Sequence, residues 1–127
     1  MRPFRWPGLW VSIWLAMISA VAVGSLMPAP DLPPLFPQAD KLEHLLGYAV
    51  LAAWGALLFV RARSLARVAI GLIAYGIAIE IAQALFTTGR QAEVLDAVAD
   101  AVGVAIGLAI VRGRLAELLV RIEVRLG

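Results

Sequence analysis

The chain alternates long apolar stretches with short polar links. A helix needs about 20 predominantly apolar residues to cross roughly 30 Å of hydrocarbon. Four stretches fit that requirement. The first, residues 9–27, holds no charged residue and stops at Pro28. The second, 40–60, has its polar residues at the front, and the third, 68–86, is broken only by Glu80 and Gln83. The fourth, 94–111, carries Asp96 and Asp100 near its start. A fifth segment, 112–126, reads differently. Leu115, Leu118, Leu119, Ile122 and Leu126 share one helical face, and Arg114, Glu117, Arg121 and Arg125 share the other. This is the pattern of an amphipathic helix lying on an anionic leaflet; a plain extension of the fourth span is the alternative. The prediction is an all-α fold: one membrane domain over residues 1–127, a four-helix transmembrane bundle with a C-terminal amphipathic helix.

The link 28–39 contains Pro28, Pro30, Pro33, Pro34 and Pro37. Proline lacks an amide donor and resists helix, so an extended, stiff connector outside the membrane is expected there. Arg2 and Arg5 give the first stretch the basic front of a signal peptide. Its apolar run exceeds a signal core of about 7–15 residues and no small-x-small cleavage site follows, so a retained helix is expected.

Composition sharpens this picture. The chain is 62% hydrophobic and 16% charged, with a mean hydropathy of +0.89. A soluble domain of this size cannot hide so much apolar surface. That excludes a soluble enzyme, a disordered tail and a secreted disulfide scaffold. With no cysteine there is no disulfide, thiolate metal site or Cys nucleophile. The net charge of +2 does not point to nucleic acid, because the basic residues form no single patch. They read as topology instead. Arg2, Arg5, Arg61, Arg63, Arg67, Arg112, Arg114, Arg121 and Arg125 fall at both ends and in the middle link, against Lys41 and Arg90 in the other two links. The positive-inside bias then predicts a multi-pass protein of the bacterial cytoplasmic membrane with both termini cytoplasmic. Trp6 and Trp10 suit an interfacial belt at that edge, with Trp14 continuing the i, i+4, i+8 series.

The acidic residues lie opposite. Asp31, Asp40, Glu43, Glu80, Glu93, Asp96 and Asp100 all fall on the outer side of this topology; Glu117 and Glu123 fall inside. Three stripes carry the polar residues inward. Asp40, His44 and Tyr48 recur at i, i+4, i+8 on the second span, and Gly76, Glu80, Gln83 and Thr87 line one face of the third. Asp96, Asp100, Gly103 and Gly107 line the fourth, with small residues that allow close helix approach. Glu80 and Asp100 lie roughly 9 Å inside their spans. Ionisable residues at such depth cost a few kcal/mol and are functional candidates by default, with polar glue between helices as the structural alternative. Asp40 can equally cap its helix. His44 is a general acid–base or ligand candidate, and Arg90, beside Gly89, can clamp a carboxylate or phosphate.

Asp40-Lys41-x-x-His44-x-x-x-Tyr48, Glu80-x-x-Gln83, Gly89-Arg90 and Asp96-x-x-x-Asp100-x-x-Gly103-x-x-x-Gly107, in this order, resemble the VanZ-like family of small bacterial membrane proteins. The resemblance covers residues 40–107. Asp100 departs from it, since the family usually has Asn there. The resemblance implies a multi-span helical protein of the cell envelope, and the family's namesake is associated with low-level resistance to the glycopeptide teicoplanin.

Three functions compete. The first is an outward-facing cleft that binds or modifies an envelope lipid or lipid-linked cell-wall precursor. There His44, Glu80, Asp96 and Asp100 would carry the chemistry, and Asp40, Lys41, Gln83 and Arg90 would hold the ligand. In this reading the carboxylates position His44 or hold a divalent cation: a hard cation suits the oxygen ligands, and one His with carboxylates also suits Zn or Mn, although the spacing matches no specific metal motif such as His-Glu-x-x-His. The second is a non-enzymatic scaffold or partner subunit. The third is a small proton-coupled transporter with Glu80 and Asp100 as carriers, against which stands the lack of polar residues continuing the cluster across the other half of the spans. No Gly-rich phosphate loop is present, and Ser12 and Ser19 lie away from His44 in this topology, which argues against a serine hydrolase.

Overall fold

Long apolar runs without internal proline favour helix, where every backbone donor finds an acceptor within its own segment. In a computed structural model of the protein, residues 1–26, 39–86, 94–111 and 113–127 are described. They form helices α1 (Pro7–Leu26), α2 (Ala39–Leu58), α3 (Ala62–Phe86), α4 (Val94–Ile110) and α5 (Leu118–Leu126), with a 3-10 turn at Gly113–Glu117 before α5. The described residues contain no strand. The proline-rich link up to Gln38, the link that carries Arg90, and Arg112 lie outside them.

The element bounds refine the sequence pattern in one place. α3 begins at Ala62, so Arg63 and Arg67 sit in its first turns and not in a link. Alanine, leucine and arginine are strong helix formers, and the Leu65 amide already donates to the Arg61 carbonyl at 3.0 Å. α1, with 20 residues, and α3, with 25, are long and apolar enough to cross a membrane. α4 has 17 residues, and α2 opens with Asp40, Lys41, Glu43 and His44. Two of the four expected spans therefore meet the requirement by length and composition alone.

α2 and α4 form the most extensive helix pair, and α3 packs on α4. The α2–α4 seam is built from small residues. A Cβ on Gly103 would run into the Leu45 carbonyl, and one on Gly107 would run into the Ala49 carbonyl and stand 2.9 Å from Ala52 Cβ. The two backbones thus touch where only glycine fits. Leu51, Ala52 and Val104 fill the centre and are almost wholly buried. α1 lies outside this core. Of its residues only Trp10 is buried, and Leu9, Leu15 and Val23 are exposed. Indole and hydroxyl groups tie it on: Trp14 Nε1 donates to the Leu51 carbonyl at 2.9 Å, Trp54 Nε1 to the Trp10 carbonyl at 3.1 Å, and the Tyr75 hydroxyl to the Ile18 carbonyl.

At the opposite end from His44, the first six residues stitch three helices together. The Arg2 amide donates to the Leu58 carbonyl at 2.9 Å and its Nε to the Leu57 carbonyl at 3.1 Å. These are carbonyls that the end of α2 would otherwise leave open, and a cation suits the negative end of the helix dipole. From α5, the Glu123 carboxylate accepts hydrogen bonds from the Arg5 amide (2.8 Å), the Trp6 amide (2.7 Å) and Trp10 Nε1 (2.8 Å). This cap on α1 comes from a distant helix. It also changes the reading of the tail. The axis of residues 115–126 lies at 94° to that of α4, so the tail is no straight continuation of it. Yet its buried face holds Leu119 and Glu123, while Leu126 is exposed. Trp10, expected at the membrane interface, is buried against α2 and α5.

Two outcomes test this packing. Gly103→Ala should lower thermal stability in detergent by about 1–3 kcal/mol, because a backbone carbonyl cannot yield as a side chain can. Gly71→Ala, which meets nothing within 4 Å, should be neutral or mildly stabilising. For Glu123, burial pushes the carboxyl pKa up, but the Arg5 amide, the Trp10 indole, the Trp6 amide and the Arg5 charge outweigh it and hold the pKa below its ordinary value of 4.5. A depressed carboxyl stabilises fully above the unfolded value and loses that contribution as pH falls through the folded one. The stability difference between wild type and Glu123→Gln, read from melting curves, should therefore be largest near neutral pH and shrink on acidification below about 4.5.

Candidate functional site

The glycine seam fixes what lies one turn above it. Asp100 sits at i−3 from Gly103 on the same face of α4, so the close approach of α2 and α4 brings its carboxylate against α2. There it meets His44: Nδ1 and Asp100 Oδ1 are 2.8 Å apart. An ionised carboxylate only accepts, so Nδ1 is the donor, and in the neutral ring the lone pair is then on Nε2. One turn further, Asp96 Oδ2 stands 4.0 Å from His44 Nε2, and Asp96 Oδ1 stands 3.6 Å from Lys41 Nζ.

α3 closes the third side. Gly76 is buried against Asp100, and a Cβ there would stand 2.8 Å from Asp100 Oδ2. Glycine at this point admits the carboxylate, and Oδ2 has no hydrogen-bond partner among the described residues. One turn along, Glu80 brings its carboxylate to the cluster. One ligand-type atom from each of His44, Glu80 and Asp96 lies within 4.8 Å of the others. These three could hold a metal ion. Glu80, Asp96 and Asp100 are 6%, 5% and 1% exposed, an expensive placement for three carboxylates that demands close neighbours of opposite charge. Lys41 and His44 retain partial exposure.

Five of the eight residues singled out in the sequence are thus gathered at one end of the bundle: Lys41, His44, Glu80, Asp96 and Asp100. Gln83 is buried nearby on α3, and its amide donates at 2.8 Å to the Ser25 carbonyl at the end of α1. Asp40 lies in the first turn of α2, but its side chain lies outside the described residues, as does all of Arg90.

Two open grooves lead to the cluster. One, of about 340 Å³, runs between α3 and α4 and is walled by Ile77, Ile81, Leu85, Val94 and Ala97, with Glu80 as its charged wall residue. The other, of about 230 Å³, lies between α1 and α2 and is lined by Val21, Gly24, Ser25, Glu43, His44 and Tyr48. Ser25 and Gly24 escape sequence reasoning because no polar periodicity marks α1. Gly76 was visible as part of the Glu80 stripe, although its pairing with Asp100 was not.

No family model, curated protein or solved structure matches the chain.

Chemically, the arrangement couples an imidazole, held by a carboxylate on Nδ1, to Asp96 on its Nε2 side and to Glu80 close by. It suits proton transfer at His44 or cation binding. The His44–Asp100 pair should be energetically coupled. A double-mutant cycle of His44→Ala and Asp100→Ala, read by unfolding in detergent, should give a coupling of about 1.5–3 kcal/mol, the range for a hydrogen bond to a charged group. Additive effects would show that the contact contributes nothing.

Proposed function

We propose that this chain is a VanZ-like, four-span integral protein of the bacterial cytoplasmic membrane. Both termini face the cytoplasm, and its acidic cleft opens outward to bind or modify an envelope lipid or lipid-linked cell-wall precursor. The observation that carries the reading is the apolar groove between α3 and α4 that has Glu80 in its wall. An amphiphile needs this combination: a greasy channel for its chain and a polar cluster for its headgroup. The residue pattern over 40–107 and the opposite placement of basic and acidic residues along the chain support it. His44 would act as general base or acid, with Glu80, Asp96 and Asp100 around it; Asp40, Lys41, Gln83 and Arg90 would engage the ligand. A part in teicoplanin resistance follows from the family resemblance alone. A second reading, a scaffold whose polar cluster only joins helices, draws on the His44–Asp100 contact between α2 and α4.

Lipid analysis separates the two. Wild type purified from native membranes in mild detergent should carry an envelope lipid enriched over the bulk membrane. Glu80→Gln should keep its helix content and lose that enrichment. Equal lipid profiles for folded wild type and variant would leave the scaffold reading. Orientation has its own test: in intact cells an impermeant thiol reagent should label Gln91→Cys and spare Ala62→Cys.

A further inference from the structure

We infer that His44, Glu80 and Asp96 form a three-ligand site for a divalent transition-metal ion of the zinc and manganese class, with Asp100 as the positioning residue behind His44. The site shares the cleft described above but needs no lipid, so it stands or falls separately from the proposed function.

Three features converge. The ligand-type atoms come from three helices, α2, α3 and α4, and already lie within 4.8 Å of one another. Around a bound zinc ion at 2.0–2.2 Å such atoms sit roughly 3–3.5 Å apart, so small rotations of Glu80 and Asp96 would complete the shell. The second feature is the tautomer. Asp100 occupies Nδ1 at 2.8 Å, which leaves Nε2 as the basic nitrogen, and Nε2 is the atom that faces Asp96 Oδ2. A carboxylate behind a metal-bound imidazole is the recurring way to fix its ring and raise its basicity. Gly76 and the glycine seam hold that carboxylate in place. The third is the separation of duties on Asp96: Oδ1 faces Lys41, and Oδ2 faces His44. A metal at Oδ2 leaves the Lys41 pair intact.

Donor chemistry selects the ion. Calcium takes six to eight oxygens, and magnesium keeps most of its waters. One imidazole with two carboxylates suits zinc or manganese. Three protein ligands also leave a coordination position open, as sites that act on a ligand require.

The experiment uses the full chain in detergent, stripped with chelator and titrated with Zn²⁺ or Mn²⁺ alone. About one ion should bind per chain and raise the melting temperature, and EDTA should reverse the shift. Mg²⁺ at equal concentration should not compete. His44→Ala, Glu80→Gln and Asp96→Asn should each weaken binding at least about 10-fold, and Asp100→Ala by about 10–100-fold. Glu117→Gln, at the far end of the molecule, should leave binding unchanged. The chain has one histidine, so its imidazole ¹⁵N resonances report on His44 alone. Metal should shift Nε2 in wild type, and Asp100→Ala should abolish the Nδ1–H tautomer even without metal. A wild type that binds no ion in stoichiometric amount, or His44→Ala and Glu80→Gln that bind as tightly as wild type, would overturn the inference. The wild-type titration decides even if a variant fails to fold.

Discussion

The backbone contact of α2 with α4 at Gly103 and Gly107 is the constraint on which the rest depends. Small residues let two helix backbones meet directly, and buried polar contacts then join the packing. The absence of two Cβ atoms lets α4 approach Leu45 and Ala49, and the same approach seats Asp100 on His44. Packing and chemistry are therefore one event: a side chain at Gly103 would move the carboxylate as well as the helix. Gly76 repeats the device from α3, by giving up the volume that Asp100 fills.

The two ends of the molecule solve opposite electrostatic problems. At one end, carboxylates from α3 and α4 converge on a histidine and a lysine from α2. At the other, the polar groups mostly serve backbone that helix ends leave open. Arg2 covers carbonyls at the end of α2, and Glu123 covers amides at the start of α1. These contacts close the bundle where the apolar surface of α1 offers little grip, as only Trp10 of that helix is buried.

Much of this was legible in the sequence, and the reasons are specific. The helices follow from the length of the apolar runs. The stripes of His44, of Glu80 and of Asp96 with Asp100 follow from 3.6-residue periodicity, and each does face its neighbours. Periodicity does not say what a buried charge touches. Glu123 sits among leucines on a tail whose face assignments by helical wheel put the charges outward, and its partners lie more than 110 residues away. Trp10 departs from its expected interfacial place for a related reason. An indole can face a headgroup or a backbone carbonyl, and here Trp14 and Trp54 choose carbonyls while Trp10 chooses Glu123. Gln83 resembled a member of the acidic stripe, and its amide reaches the end of α1.

The long-range cap on α1 also has a temporal side. Arg5, Trp6 and Trp10 leave the ribosome well before their acceptor, Glu123. At roughly 5–20 residues per second, that acceptor arrives on the order of 10 s later. Until then the start of α1 must find other partners, such as water, for those hydrogen bonds. The start of α1 is thus fastened only after the four helices that follow it have been made, and the junction with α5 registers that the chain between them is complete.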